Sequence, residues 1–173
     1  MMNQATLAAR IKATAYLEGD FTLRSGKKSK YYMDKYLFET QPDILSALGA
    51  RMAERRGPLT VRIAGAELGG VALAAAASLA CGLPFFIVRN SKKEYGTSKL
   101  IEGQILAGDT VLLVEDIATT GGQVIEAARV IVAAGGQVDK IVAVIDRLEG
   151  ARENIEKAGF VFEAILTRTD LGL

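Results

Sequence analysis

The chain has 173 residues, half of them hydrophobic, with 21 basic against 20 acidic side chains, one cysteine and no histidine. That length fits one domain with a substantial core, and nothing in the near-neutral balance suggests a nucleic-acid surface. The missing histidine excludes Ser-His-Asp and Cys-His catalysis and imidazole zinc sites, and the lone Cys81, in an apolar run, reads as a buried thiol in a reducing, cytoplasmic setting.

Residues 3–17 have helical spacing, with Leu7, Ile11 and Ala15 on one face and Glu18-Gly19-Asp20 to end it. Arg10 and Lys12 interrupt any apolar signal core there. FTLRSGKKSKYYMD, residues 21–34, places two short β-like runs, 21–23 and 31–33, around a basic turn. Arg24 precedes that turn and Lys30 follows it. It is either a solvated hairpin tip or a cap over an anionic, planar ligand, with Tyr31 and Tyr32 beside the cations. Pro42 starts a helix to about residue 56, stopped by Gly57 and Pro58. Residues 60–64 read as a strand, followed by the glycine-rich turn GAELGG at 65–70 and an alanine-rich helix.

The uncharged run 71–88 is long enough to suggest a membrane span. Its alanine content, with Gly82 and Pro84, divides it instead into a buried helix and a strand at 85–88, so no membrane is expected. RNSKKEYGTSKLIEG, 89–103, is polar, cationic and without clear periodicity. A loop of that length inside a compact domain is usually functional or disordered. Past the central stretch at 111–128, Gly135-Gly136 caps a helix and 138–145 forms a strand that ends in DRLEG, 146–150. A short helix at 151–159 and a last strand at 160–166 complete the chain. The alternation predicts an α/β fold, a mainly parallel sheet with helices on both faces. One domain spans 1–173, and residues 1–40 supply a small hood over the carboxyl edge of the sheet.

The central stretch, VLLVEDIATTGGQVIEAA, carries the chemistry. Val111 to Val114 read as a strand buried on both faces. Glu115 and Asp116 follow at its carboxyl end, where open α/β sheets place ligands. Thr119, Thr120, Gly121 and Gly122 then open a helix. The glycines let backbone N–H groups approach an anion, the threonines add hydroxyl donors, and the helix start adds partial positive charge. That loop suits a phosphate, and the acids suit sugar hydroxyls, from which they accept hydrogen bonds. Ribose with a 5′-phosphate satisfies both. The alternative is an ordinary strand–turn–helix unit.

VLLVEDIATTGG resembles the phosphoribosyl-pyrophosphate (PRPP) signature of type I phosphoribosyltransferases. FTLRSGKKSKYYMD resembles the N-terminal segment of orotate phosphoribosyltransferases, and DRLEG their DRxEG segment, which closes the base site. The likeness runs in matched order from Phe21 to Gly150. Segment 89–103 resembles the family's mobile catalytic loop, whose usual pattern is Arg-Lys-x-x-Lys-x-His-Gly. Arg89, Lys93 and Gly96 match, as does the IEG at 101–103, but Asn90 replaces a lysine and Tyr95 the histidine. Lys92 can partly replace the lost charge, and Tyr95 donates a hydrogen bond without adding any. These departures bear on rate more than on the reaction. The turn at 65–70 fits the family's loop beside the pyrophosphate and an ordinary strand–helix turn equally well.

The resemblance implies the type I phosphoribosyltransferase fold and transfer of phosphoribosyl from PRPP to orotate, with Mg²⁺ held mainly by PRPP rather than by the protein. It implies Lys93, Glu115 and Asp116 as catalytic residues. PRPP would be bound by these together with Arg89, Lys92, Tyr95, Ala118, Thr119, Thr120, Gly121 and Gly122. Orotate would meet Arg24, Tyr31, Tyr32, Thr119 and Arg147. An arginine at a strand end is often a surface ion pair, but Arg147 follows a core strand and is favoured as the ligand of orotate's carboxylate. The family further implies a homodimer in which loop 89–103 reaches the neighbour's site. A purine-type phosphoribosyltransferase is disfavoured by FTLRSGKKSKYY and DRLEG. A PRPP-sensing regulator that binds nucleic acid stays open through Asn90 and Tyr95, but it lacks a basic face or an added module. A P-loop is excluded, since no G-x-x-x-x-G-K-[ST] occurs.

Overall fold

Asn3 accepts the Thr6 N–H at 2.8 Å and so starts α1 (Gln4–Ala15). The helix ends short of residue 17 because Tyr16 and Leu17 pair with Met33 and Tyr32. The hairpin is therefore longer than the sequence suggests. In it β1 (Tyr16–Thr22) runs antiparallel to β2 (Lys28–Met33), and the Tyr16 and Tyr31 rings stack across it with centroids 5.5 Å apart. The computed structural model describes residues 2–22, 26, 28–90 and 99–173. A short helix capped by Asp34, α2 (Lys35–Glu39), follows where the sequence predicts none, since five residues are too few to show a period. Next comes α3 (Pro42–Glu54), with proline in its first turn.

The remaining strands form one six-stranded sheet: β3 (Arg62–Ala66), β4 (Phe85–Val88), β5 (Ile101–Glu102), β6 (Thr110–Ala118), β7 (Gln137–Asp146) and β8 (Phe162–Thr167). Their order is β5-β4-β3-β6-β7-β8, and all pairs are parallel except β4 with β5. Three helices make the crossovers: α4 (Gly69–Cys81), α5 (Gly122–Ala133) and α6 (Ala151–Lys157). The run 71–88 is thus most of α4, a Gly82 cap and β4, and no helix among the described residues is long and apolar enough to cross a membrane.

Residues of β6 alternate between two cores. Leu112 and Val114 pack with Leu7 and Ile11 of α1, Leu48 of α3 and Leu73 of α4. Val111 and Leu113 pack with Val124 and Ile131 of α5 and Ile155 of α6. The sequence predicts a strand that stops before the acids, whereas β6 continues through Ala118 in register with β7, because Glu115, Ile117 and Ala118 keep partners there. The two-residue pleat therefore turns Glu115 toward the α5 side and Asp116 toward the α4 side. From β3 the chain moves outward to β4, and from β6 it moves the opposite way to β7. The carboxyl ends of β3 and β6 are thus the switch point at which a crevice opens.

Candidate active site

Residues 119–122 lie at that point. They line a pocket with Glu115, Ile117 and Ala118 on one side and Gln123 and Val124 of the first turn of α5 on the other. Gly121 is the N-cap, with φ +78°, and no side chain caps the helix among the described residues. The first N–H groups of α5 are left pointing at the pocket, as an anion requires. A Cβ on Gly121 would lie 2.8 Å from Cγ1 of Ile155, so this turn is closed against α6 as well as left-handed. Asn154 of α6 donates to the Thr120 carbonyl at 2.9 Å and fixes the loop from behind.

The two acids occupy different surroundings. Glu115 is half-buried and lines the pocket. Asp116 is 3% exposed. Its Oδ1 accepts the Ile117 N–H, and its Oδ2 lies 2.5 Å from Nζ of Lys35. A Cβ on Gly69 would fall 1.6 Å from the same Oδ2, so α4 can begin against this carboxylate only with glycine there. Burial, then the charge of Asp116 and, less strongly, that of Glu39, push the Glu115 carboxyl up to about 8, with Lys35 acting against them. Glu39 is likewise pushed up to about 8, by burial first and then by Asp116, again opposed by Lys35. On Lys35, burial works downward but is outweighed by the hydrogen bond and charge of Asp116, so its ammonium is held above the ordinary range. Sequence reasoning missed Lys35 and Glu39. The only available signal was their i, i+4 spacing after the YYMD run.

A second pocket opens where the hairpin meets the ends of β6 and β7, lined by Tyr31, Met33, Ile117, Ile145, Arg147 and Arg168 among others. The structure brings Tyr31 and Arg147 together here, and Arg147 is also 3.0 Å from Glu149. Tyr32 is on the other side of β2, tilted against Phe21 and 43% exposed. Arg168, a second cation at this pocket, had no pattern in the sequence to mark it. Arg89 closes β5 onto the sheet through its N–H to Leu100, with Nη1 3.8 Å from Glu67 and 3.9 Å from Glu102. The position that departs from the family pattern, Asn90, ties this end of the loop to the glycine-rich turn. Its backbone N–H and side-chain amide both donate to Glu67, at 2.9 and 3.0 Å. Arg24, Lys92, Lys93 and Tyr95 lie outside the described residues.

The chain matches the phosphoribosyl transferase domain family over residues 27–171. The orotate phosphoribosyltransferase of Methanocella arvoryzae is 45% identical over 166 residues, covering 95% of each protein. Among solved structures, the Mycobacterium tuberculosis H37Rv orotate phosphoribosyltransferase in complex with PRPP has a TM-score of 0.82 at 31% identity, over 98% of this chain and 99% of that one. The orotate phosphoribosyltransferase of Aeropyrum pernix has a TM-score of 0.84 at 30% identity, over 95% of each.

Proposed function

The chain belongs to the orotate phosphoribosyltransferases, within the phosphoribosyl transferase domain family, and from this we propose how its residues move phosphoribosyl from PRPP to orotate. The bond from ribose C1 to the pyrophosphate oxygen breaks, and a bond from C1 to a ring nitrogen of orotate forms. The products are orotidine 5′-monophosphate, a pyrimidine nucleotide precursor, and pyrophosphate. One observation carries the assignment of parts: the uncapped start of α5, with Thr119, Thr120, Gly121 and Gly122, faces a pocket that Glu115 also lines.

In this reading the loop and Ala118 hold the 5′-phosphate, and Glu115 and Asp116 serve the ribose hydroxyls and the positive charge that grows on the sugar. Arg89 and the loop residues Lys92, Lys93 and Tyr95 receive the departing pyrophosphate. Tyr31, Arg147 and Thr119, with Arg24 and Tyr32 from the hood that residues 1–40 contribute to this domain, receive orotate. The protein does no covalent work, so its contribution is positioning and charge. The residues fit a magnesium ion that arrives on PRPP. Both Asp116 oxygens are engaged within the protein, so the ion would be held mainly by PRPP, with Glu115 at the pocket edge as the acid that would face it. Bound there, the ion neutralises pyrophosphate charge. The single, unpaired Cys81 supports a cytoplasmic setting.

Pyrophosphate release from PRPP and Mg²⁺ with orotate, adenine, guanine or uracil tests the reading. Release with orotate alone is expected, and release with a purine alone would replace orotate in it. The reading includes a homodimer that shares loop 89–103 across its interface. Lys93→Ala and Asp116→Asn, each nearly inactive, should then regain about half the wild-type activity per hybrid dimer when their subunits exchange. No recovery despite proven exchange would mean that each chain closes its own loop.

A further inference from the structure

Helix α2 brings to the acid pair two side chains that the transfer reaction has not yet employed. Lys35, its first residue, spans from the hairpin side of the molecule to Asp116 at 2.5 Å, with its ammonium also 5.3 Å from the centre of the Tyr36 ring. Glu39, one turn on, is 4% exposed, and its Oε1 has no hydrogen-bond partner among the described residues. Residues four apart share a helix face, so Glu39 stands on the same side of α2 as Lys35, which reaches Asp116. Asp34, which caps the helix, adds a further acid near Glu39. The Lys35 ammonium thus acts on Asp116, Glu115 and Glu39.

We propose that Lys35 is a positioning residue for the transfer: it fixes the Asp116 carboxylate and, balanced against the buried Glu39, sets the charge with which Glu115 meets the ribose. This rests on the reading of Glu115 and Asp116 as the ribose acids. With Oδ1 on the Ile117 N–H, Oδ2 on Lys35 and Gly69 packed against it, the Asp116 carboxylate has no rotation left. Glu115 is the acid that lines the pocket, and its proton decides what it can do. Protonated, it offers an O–H and no charge. Ionised, it accepts from a ribose hydroxyl and stabilises a cationic sugar. Lys35 favours the ionised form, while Asp116 and Glu39 oppose it. The two α2 side chains therefore act on Glu115 in opposite directions.

The test follows kcat and KM for PRPP from about pH 6 to 10 in the wild type and in Lys35→Met, Lys35→Arg and Glu39→Gln, at saturating orotate and Mg²⁺. Lys35→Met should lower kcat/KM for PRPP about tenfold at neutral pH and move its rising limb to higher pH. Lys35→Arg should restore most of the loss, and Glu39→Gln should move the limb to lower pH. The ionisations of PRPP are common to all four proteins, so the differences belong to the enzyme. A limb that stays in place in every variant, even with a lowered melting temperature, makes Lys35 a structural tie only and overturns the proposal. If Lys35→Met does not fold, the Glu39→Gln shift decides. If the wild type turns over no base, PRPP affinity by calorimetry is read across the same pH range: a moved limb keeps the proposal while the orotate reading falls, and an unmoved one ends it.

Discussion

The loop at residues 119–122 and the acid pair are neighbours at the end of β6, but they are made differently. The loop is one unbroken stretch: residues 119–122 run from the strand into the first turn of α5, braced from elsewhere by Ala151, Asn154 and Ile155 of α6. The acids are also consecutive, yet their surroundings are gathered from the whole N-terminal half. Lys35 lies 81 positions before Asp116, and Gly69 and Glu39 come from α4 and the end of α2. A contiguous site depends on local backbone geometry. A gathered one depends on charge balance and on the packing of separate elements, so it responds to distant substitutions and to pH.

The largest effect is expected at the gathered site. Asp116→Asn keeps the shape but leaves Lys35 without its carboxylate, and turnover should fall about 100-fold. Gly69→Ala should match that loss, because its Cβ can enter only by displacing Asp116 Oδ2, and overpacking should further cost roughly 1–3 kcal/mol of stability. Normal turnover and a normal thermal melt in Gly69→Ala would show that the carboxylate is free to move.

At the contiguous site, Gly121→Ala forces a side chain into φ +78° and onto Ile155. It should cost roughly 1–3 kcal/mol of stability and raise the PRPP KM more than the orotate KM. Equal rises in both would deny the loop its separate role.

Arg147→Ala reaches neither region. It should weaken orotate by roughly 1.5–3 kcal/mol, the worth of a hydrogen bond to a charged group, and leave PRPP affinity nearly unchanged. If calorimetry finds both ligands weakened equally, Arg147 is structural.

The smallest effect concerns pH. Glu39 and Glu115 are raised from an ordinary 4.5 to about 8, so between those values the unfolded chain gives up protons that the folded one keeps. Stability should therefore fall as pH rises through that window and level off above it. Asp43, Asp109 and Asp170 are held low and act oppositely, losing their contribution as pH falls through and below 3.8. The melting temperature should drop by roughly 3–6 °C from about pH 5 to 8.5, with a shallower slope in Glu39→Gln. A flat wild-type profile would place Glu39 in contact with water.

Local pattern was enough to read most of this molecule from its sequence. The alternation of apolar runs with helical stretches marked out the parallel sheet, and ATTGG at residues 118–122 marked the loop that lines the pocket at the start of α5, because strand, turn and helix start are all short-range properties of consecutive residues. The acids were found for the same reason. Their division between two faces was not, because that depends on whether β6 stops at residue 114 or runs on, and pairing with β7 decides it. Tyr31 and Arg147 were named separately, and the hairpin's placement at the sheet edge brought them to one pocket. Arg168 carried no signal, and Lys35 and Glu39 only their i, i+4 spacing: a lysine and a glutamate read as ordinary surface residues until folding half-buries the one and buries the other, while Arg168 stays exposed beside its pocket. The burial of Glu39 and the approach of charges far apart in the chain exist only once the elements have packed, so no local stretch of sequence carries them.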